Sequence, residues 1–406
     1  MLTIKNVKNI KGETVTKKIL SDQDEMIDAT GLTMLPAVID PHVHFRTPGQ
    51  EDKENWESGA RAAIAGGVTR VFDMPNNIPA CVTETLLQEK KTLINKQLSN
   101  TGIPLRYGLF FGADAGHLEE ISKVKNKIVG IKVFMGSSTG SLLIDNDEVF
   151  EKVCKIAAEN NLIVAAHAED EHILQELSKQ NPESKDPKTH SKNRDRKAAI
   201  VALEKCIAAS VRFGTKFYIL HLSIKEEVAL VRQAKRKGLP IYAETTPHHL
   251  FLSEDDYEKW GTRVQMNPPL RTKEDQKVLW DAVNEGIIDT IGTDHAPHLL
   301  SEKDKPFGHA PSGIPGIETS LPLLLNARSQ GKLSLEKIVE LTRINTESIF
   351  KIKPNDDIVL VDLNKEKIVE DNLLKTKCRW SPFSDQNLKG WPVYTVLKGK
   401  ACNLDA

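Results

Sequence analysis

A chain of 406 residues with 39% hydrophobic and 27% charged side chains can bury a large core and reads as an ordinary globular protein. Its formal net charge of −1 gives no field that would gather nucleic acid or an anionic membrane. Five widely spread cysteines, Cys81, Cys154, Cys206, Cys378 and Cys402, form no Cys-X-X-Cys pair, which argues against a disulfide framework and a thiolate zinc site and fits a reducing cytoplasm.

The N-terminal stretch MLTIKNVKNIKGE lacks the apolar core of a signal peptide. No later apolar run approaches the ~20 residues that span a bilayer, so a soluble, unexported protein is expected. Residues 1 to 36 alternate short apolar runs with turn signals at Lys11-Gly12 and Thr30-Gly31, a pattern of strands. The closing stretch reads the same way at Asp357-Ile-Val-Leu-Val-Asp and Trp391-Pro-Val-Tyr-Thr-Val-Leu. The two ends are therefore expected to pair into one small β domain, residues 1–36 plus 352–406.

Between them, in residues 37–351, β-rich apolar runs alternate with helix-length amphipathic stretches, the pattern of parallel βα units. Eight runs are centred on Ala37-Val-Ile-Asp, Arg70-Val-Phe-Asp, Leu105-Arg-Tyr-Gly, Ile128-Val-Gly-Ile-Lys-Val-Phe, Leu162-Ile-Val-Ala-Ala, Phe217-Tyr-Ile-Leu, Pro240-Ile-Tyr-Ala and Ile288-Asp-Thr-Ile-Gly. Helices are predicted over Trp56 to Ala65, Thr83 to Leu98, Asn146 to Glu159, Arg194 to Phe213 and Ser223 to Lys237. Eight such units suit an α/β fold of the (β/α)8 TIM-barrel type, whose usual size is about 250 residues before insertions. A doubly wound open sheet competes, yet no Gly-X-Gly-X-X-Gly follows the first run.

Polar residues at the ends of these runs carry the chemistry. Side chains on a strand alternate with a period of two, so His42, His44 and Arg46 share a face. Two imidazoles so placed can grip one divalent ion, and the guanidinium beyond them can hold an anion. In a barrel the active site lies at the C-terminal rim, where residues ending different strands converge. Asn76 follows the second run, His167 ends the fifth, His221 the sixth and Asp294 the eighth. A lone histidine closing a strand is more often a hydrogen-bonded core residue. Four with an aspartate at corresponding ends suit zinc or a similar divalent ion.

Lys132 lies within the fourth run, in Gly130-Ile-Lys-Val-Phe-Met-Gly. With Ile131 and Val133 facing the helices it points into the barrel, where an uncompensated charge is costly. Addition of CO2 to its neutral amine would give a carbamate whose two oxygens can bridge two metals.

On Asp40-Pro-His-Val-His-Phe-Arg-Thr-Pro-Gly, Met74-Pro-Asn, His167-Ala-Glu, His221-Leu-Ser, Asn267-Pro-Pro-Leu-Arg and Gly292-Thr-Asp-His-Ala-Pro-His, the chain resembles the dihydroorotases of the amidohydrolase superfamily, over nearly its whole length. The resemblance implies two Zn2+ or similar ions. His42, His44 and Asp294 would bind one and His167 and His221 the other, while carboxylated Lys132 would bridge them together with a hydroxide. It assigns substrate contacts to Arg46, Asn76, Asn267 and His298, with backbone contacts from the loop 298–316. The implied reaction is the reversible cyclisation of N-carbamoyl-L-aspartate to (S)-dihydroorotate in de novo pyrimidine synthesis, with Asp294 as general acid and base.

Two other readings stand beside it: a hydantoinase or allantoinase using the same cage on another ring, and a catalytically inactive scaffold for a pyrimidine-pathway enzyme. A homodimer, and an association with aspartate carbamoyltransferase, are left open by the resemblance. Of the other histidines, His117, His172, His190 and His309 are expected to face solvent, and His248 or His249 to support the site or pack a turn. His295 is expected to point away from the site, and Glu169 to orient a metal-bound imidazole.

Overall fold

The computed structural model describes residues 1–138, 142–180 and 184–405. The eight apolar runs of the middle region become eight parallel strands, each paired with its sequence neighbours. They are Val38–Val43, Val68–Asp73, Arg106–Gly112, Gly130–Phe134, Ile163–His167, Lys216–Ile219, Ile241–Thr245 and Thr290–Ile291. The first and last are drawn together by a parallel bridge between Val43 and His295 and by a hydrogen bond from His44 N to His295 O of 2.8 Å. Asp40 adds to the seam by accepting from Thr293 N at 3.0 Å and from its hydroxyl. The cylinder so formed is the expected TIM barrel, and closing it removes the sheet edges.

The helices start where side chains can cap them. Thr83 accepts from Leu86 N at the head of Glu84–Thr101, and Asn146 from Val149 N at the head of Asp147–Glu159. Asn55 caps Trp56–Ala65 in the same way. Ile131 and Val133 pack into the layer between barrel and helices with Val153, Leu203 and Val228. The opposite end of the barrel is plugged by Phe350, whose ring meets Phe72, Phe110 and Tyr218 at 5.0, 6.0 and 5.1 Å between centroids. No helix among the described residues is long and apolar enough to cross a membrane.

A second sheet of seven strands joins the two ends of the chain. Thr33–Pro36 runs antiparallel to Ile358–Ile368, with Pro36 opposite Ile358 and Thr33 opposite Val361. Asp357 ties this sheet to the barrel through Arg106 Nε, 2.7 Å away. Between Ile358–Ile368 and Asn387–Leu397 the chain leaves the sheet, and residues 369–386 pack over the barrel rim. Val369, Cys378, Trp380 and Phe383 bury there against Leu252, Tyr257, Met266 and Ile314. Trp380 Nε1 donates to His298 O at 2.8 Å. From sequence the closing stretch reads as strands alone, because this excursion has neither strand nor helix periodicity.

Candidate metal centre

His42 and His44 project from the end of the first barrel strand toward Asp294, which follows the eighth. His42 Nε2 lies 3.1 Å and His44 Nε2 3.0 Å from Asp294 Oδ1, and the three donor atoms fall within 4.8 Å of one another. Each ring is oriented from behind. Glu244 Oε1 is 2.8 Å from His42 Nδ1, and Asn76 Oδ1 is 2.8 Å from His44 Nδ1. With those nitrogens donating, each Nε2 is the ring nitrogen that would bind a metal in place of its contact with Asp294. Burial pushes the His44 imidazole down to about 3, so it stays neutral despite its carboxylate neighbour. Burial alone would raise the Asp294 carboxyl, but His42 and His44 beside it hold it well below its usual range.

Across the cleft, His167 Nδ1 faces His221 Nε2 at 3.0 Å. His167 donates from Nε2 to Glu169 at 2.9 Å, which leaves Nδ1 its lone pair, and Arg194 Nε grips the same carboxylate oxygen at 3.0 Å. His221 Nδ1 is buried with no hydrogen-bond partner. Lys132 lines the same cleft, 1% exposed, its ammonium 4.3 Å from the centre of the Phe134 ring. Burial, only partly offset by Asp294 and Glu244, pushes it down to about 7. Three residues here, Arg46, His221 and Asp294, hold left-handed backbone with φ of 61, 41 and 47°. Such strain in non-glycine residues costs about 1 kcal/mol or more each and gathers where side chains must be aimed.

One cleft is lined by His42, His44, Lys132, His167, His221 and Asp294, together with Arg46, Asn76 and Asn267. Ser312 and Gly313 complete its wall from the loop after the eighth strand. His298 is not on that wall. It sits behind Arg46, its Nε2 3.1 Å from Arg46 Nη2, donates from Nε2 to Ser312 O at 3.1 Å, and accepts from Lys53 Nζ at Nδ1. Arg46 Nε donates to Pro297 O at 3.1 Å, which leaves the far edge of the guanidinium for the cleft.

The remaining polar groups sort differently from expectation in one case. His190 is buried, not solvent-facing: its Nε2 is 2.9 Å from both Met266 O and Asn267 Oδ1. It sits on the short helix Thr189–Asn193, within the polar stretch Ser178 to Lys197, of which residues 181–183 lie outside the described residues. His172 and His309 are exposed and His117 is partly so. His249 packs a turn between Thr246 and Pro268 O, and His295 points away to donate to Glu54. Glu169 does face a site imidazole. Glu244 and Arg194 were assigned no role from sequence. For Glu244 a signal existed, since alternation along Tyr242-Ala-Glu turns it into the barrel; for Arg194 there was none.

The family model for the amidohydrolase family matches residues 33–402. The chain belongs to the amidohydrolase family. Its curated relatives include a dihydroorotase of Halobacterium salinarum, 35% identical over 389 residues, which is 93% of this chain and 88% of that protein. A dihydroorotase of Methanosarcina mazei is 36% identical over 402 residues, 94% of this chain and 86% of that one. Among solved structures, an L-hydantoinase (dihydropyrimidinase) from Arthrobacter aurescens superposes with a TM-score of 0.92 at 26% identity, covering 98% of this chain and 95% of its own. This amidohydrolase is an enzyme that hydrolyses cyclic amides.

Proposed function

We propose that the protein is a dihydroorotase, interconverting N-carbamoyl-L-aspartate and (S)-dihydroorotate. The observation that carries this is Arg46, a guanidinium set with Asn76 and Asn267 in the same cleft as the histidines and Asp294. Dihydroorotate carries a carboxylate for that guanidinium; hydantoin and allantoin carry none.

The donor set fits two divalent ions, zinc or similar. His42, His44 and Asp294 would hold one, and His167 and His221 the other, where the unpartnered His221 nitrogen and the facing ring nitrogens are otherwise unexplained. Carboxylated Lys132 would supply an oxygen to each. Such ions supply Lewis acidity toward the ring carbonyl and a water that ionises near neutral pH.

In ring opening, an oxygen from water bonds to the ring carbonyl carbon and the carbon–nitrogen bond breaks. Asp294, held ionised, takes the proton of the attacking water and delivers it to the departing amide nitrogen. Ring closure runs the same path backwards, with Asp294 returning the proton. Arg46 fixes the substrate by its carboxylate, and its own placement by Pro297 O means that little ordering is left for the moment of binding.

Arg46→Lys keeps the charge but loses the planar fork. Its KM for dihydroorotate should rise about tenfold, with kcat changed less, as steady-state kinetics would read. The fold likeness to a hydantoinase motivates the rival substrate class. Parallel assays with dihydroorotate, hydantoin and allantoin decide it: turnover of dihydroorotate alone is expected, and preferential turnover of either neutral ring would overturn the proposal.

A further inference from the structure

We infer that Lys90, on the helix Glu84–Thr101, is a positioning residue for the carboxylate-binding side of this site, an inference that rests on the substrate proposed above. Lys90 occupies a core position on that helix, in register with buried Leu87, Ile94 and Leu98, and is itself 1% exposed. A methionine or leucine would fill such a place without the desolvation cost of an ammonium. What the ammonium gains is two hydrogen bonds, to Met74 O at 2.8 Å and Asn77 Oδ1 at 2.6 Å, and an ion pair with Asp73 Oδ2 at 2.5 Å.

Those partners lead directly to the residues that would face substrate. Asp73 ends the second barrel strand, and its other oxygen accepts at 2.7 Å from the backbone N–H of Phe45, the residue between His44 and Arg46. Asn77 Nδ2 donates to Thr47 O at 2.9 Å, on the far side of Arg46. Met74 O lies two residues before Asn76, which orients His44. One buried ammonium therefore clamps loop 43–47 to loop 74–77 from both sides of Arg46, and it stabilises the left-handed backbone of that residue. Lys90 touches neither substrate nor reacting atoms; it acts through Asp73 and Asn77.

Three variants test this against a merely structural role. Lys90→Met removes the clamp. The double variant Asp73→Asn with Lys90→Met also removes the stranded carboxylate, while the new amide oxygen can still accept from Phe45 N. Ile94→Ala, one helical turn away and fully buried, loosens the same helix without reaching either loop. Lys90→Met should raise KM for dihydroorotate about tenfold or more, with a smaller fall in kcat. The double variant should recover thermal stability but keep the raised KM, and Ile94→Ala should lower Tm with KM unchanged. If Lys90→Met does not fold, the double variant carries the same KM readout. A wild-type KM in either Lys90 variant, or a KM that follows Tm across all three, would overturn the inference. Wild-type turnover of dihydroorotate is measured alongside. Its absence would remove the substrate assignment and this inference with it, whereas an unchanged KM in the variants removes only the clamp.

Discussion

Replacing Asp294 by alanine abolishes turnover in both directions, a loss of about 10³-fold or more, because one carboxylate is asked to hold a metal and to carry the proton. The asparagine variant separates the two tasks. It preserves volume and an oxygen that accepts, yet has no basic carboxylate, so its metal content should survive better than its rate. With His42 and His44 at 3.1 and 3.0 Å holding Asp294 ionised, the wild-type rate should not fall from protonation of this carboxyl in the mildly acidic range. Metal analysis and single-turnover assays in both directions read these outcomes. Near-normal turnover in the asparagine variant would place the proton on another group.

Lys132→Ala removes the other indispensable atom set. Losing a residue that merely supports a ligand typically costs about 10 to 100-fold in affinity or activity, and losing a bridging ligand should exceed that. Activity should fall by more than about 100-fold, with metal content lowered in step. Intact mass of the wild type should carry one added CO2 that the variant lacks. The reaction with CO2 needs the neutral amine, and burial has brought this ammonium down to about 7. In metal-stripped protein, CO2 uptake should therefore be favoured above pH 7 and be lost as pH falls below it. Full activity and metal content in protein whose Lys132 is unmodified would overturn the bridging role.

The barrel was legible because parallel strands, covered on both faces, read as apolar runs, and because Thr83 and Asn146 mark helix starts with capping side chains. The metal-facing residues were legible because rigid strand ends turn a sequence spacing into a direction, as at His42 and His44. What stayed hidden was pairing across the barrel. Glu244 supports His42 from 202 positions away, a relation no local pattern encodes. Lys90 was hidden for another reason: on an amphipathic helix a lysine reads as solvent-facing, and only the packed structure puts it at the core. His190 and Arg194 were obscured by the polar composition around them, which resembles a surface loop but supplies buried hydrogen bonds at the rim.

The excursion of residues 369–386 has a consequence for anyone wishing to transplant this catalyst. Its ends are anchored in two strands of the outer sheet, while its middle braces the loop bearing His298 and, through Thr376, the buried Glu54. A gene fragment coding for the eight-stranded cylinder alone would thus express a rim missing one of its supports. Fusion partners and affinity tags are better attached at the chain termini than spliced into that bend, and directed evolution of substrate range should treat positions 376–383 as part of the pocket's scaffolding rather than as a dispensable tail.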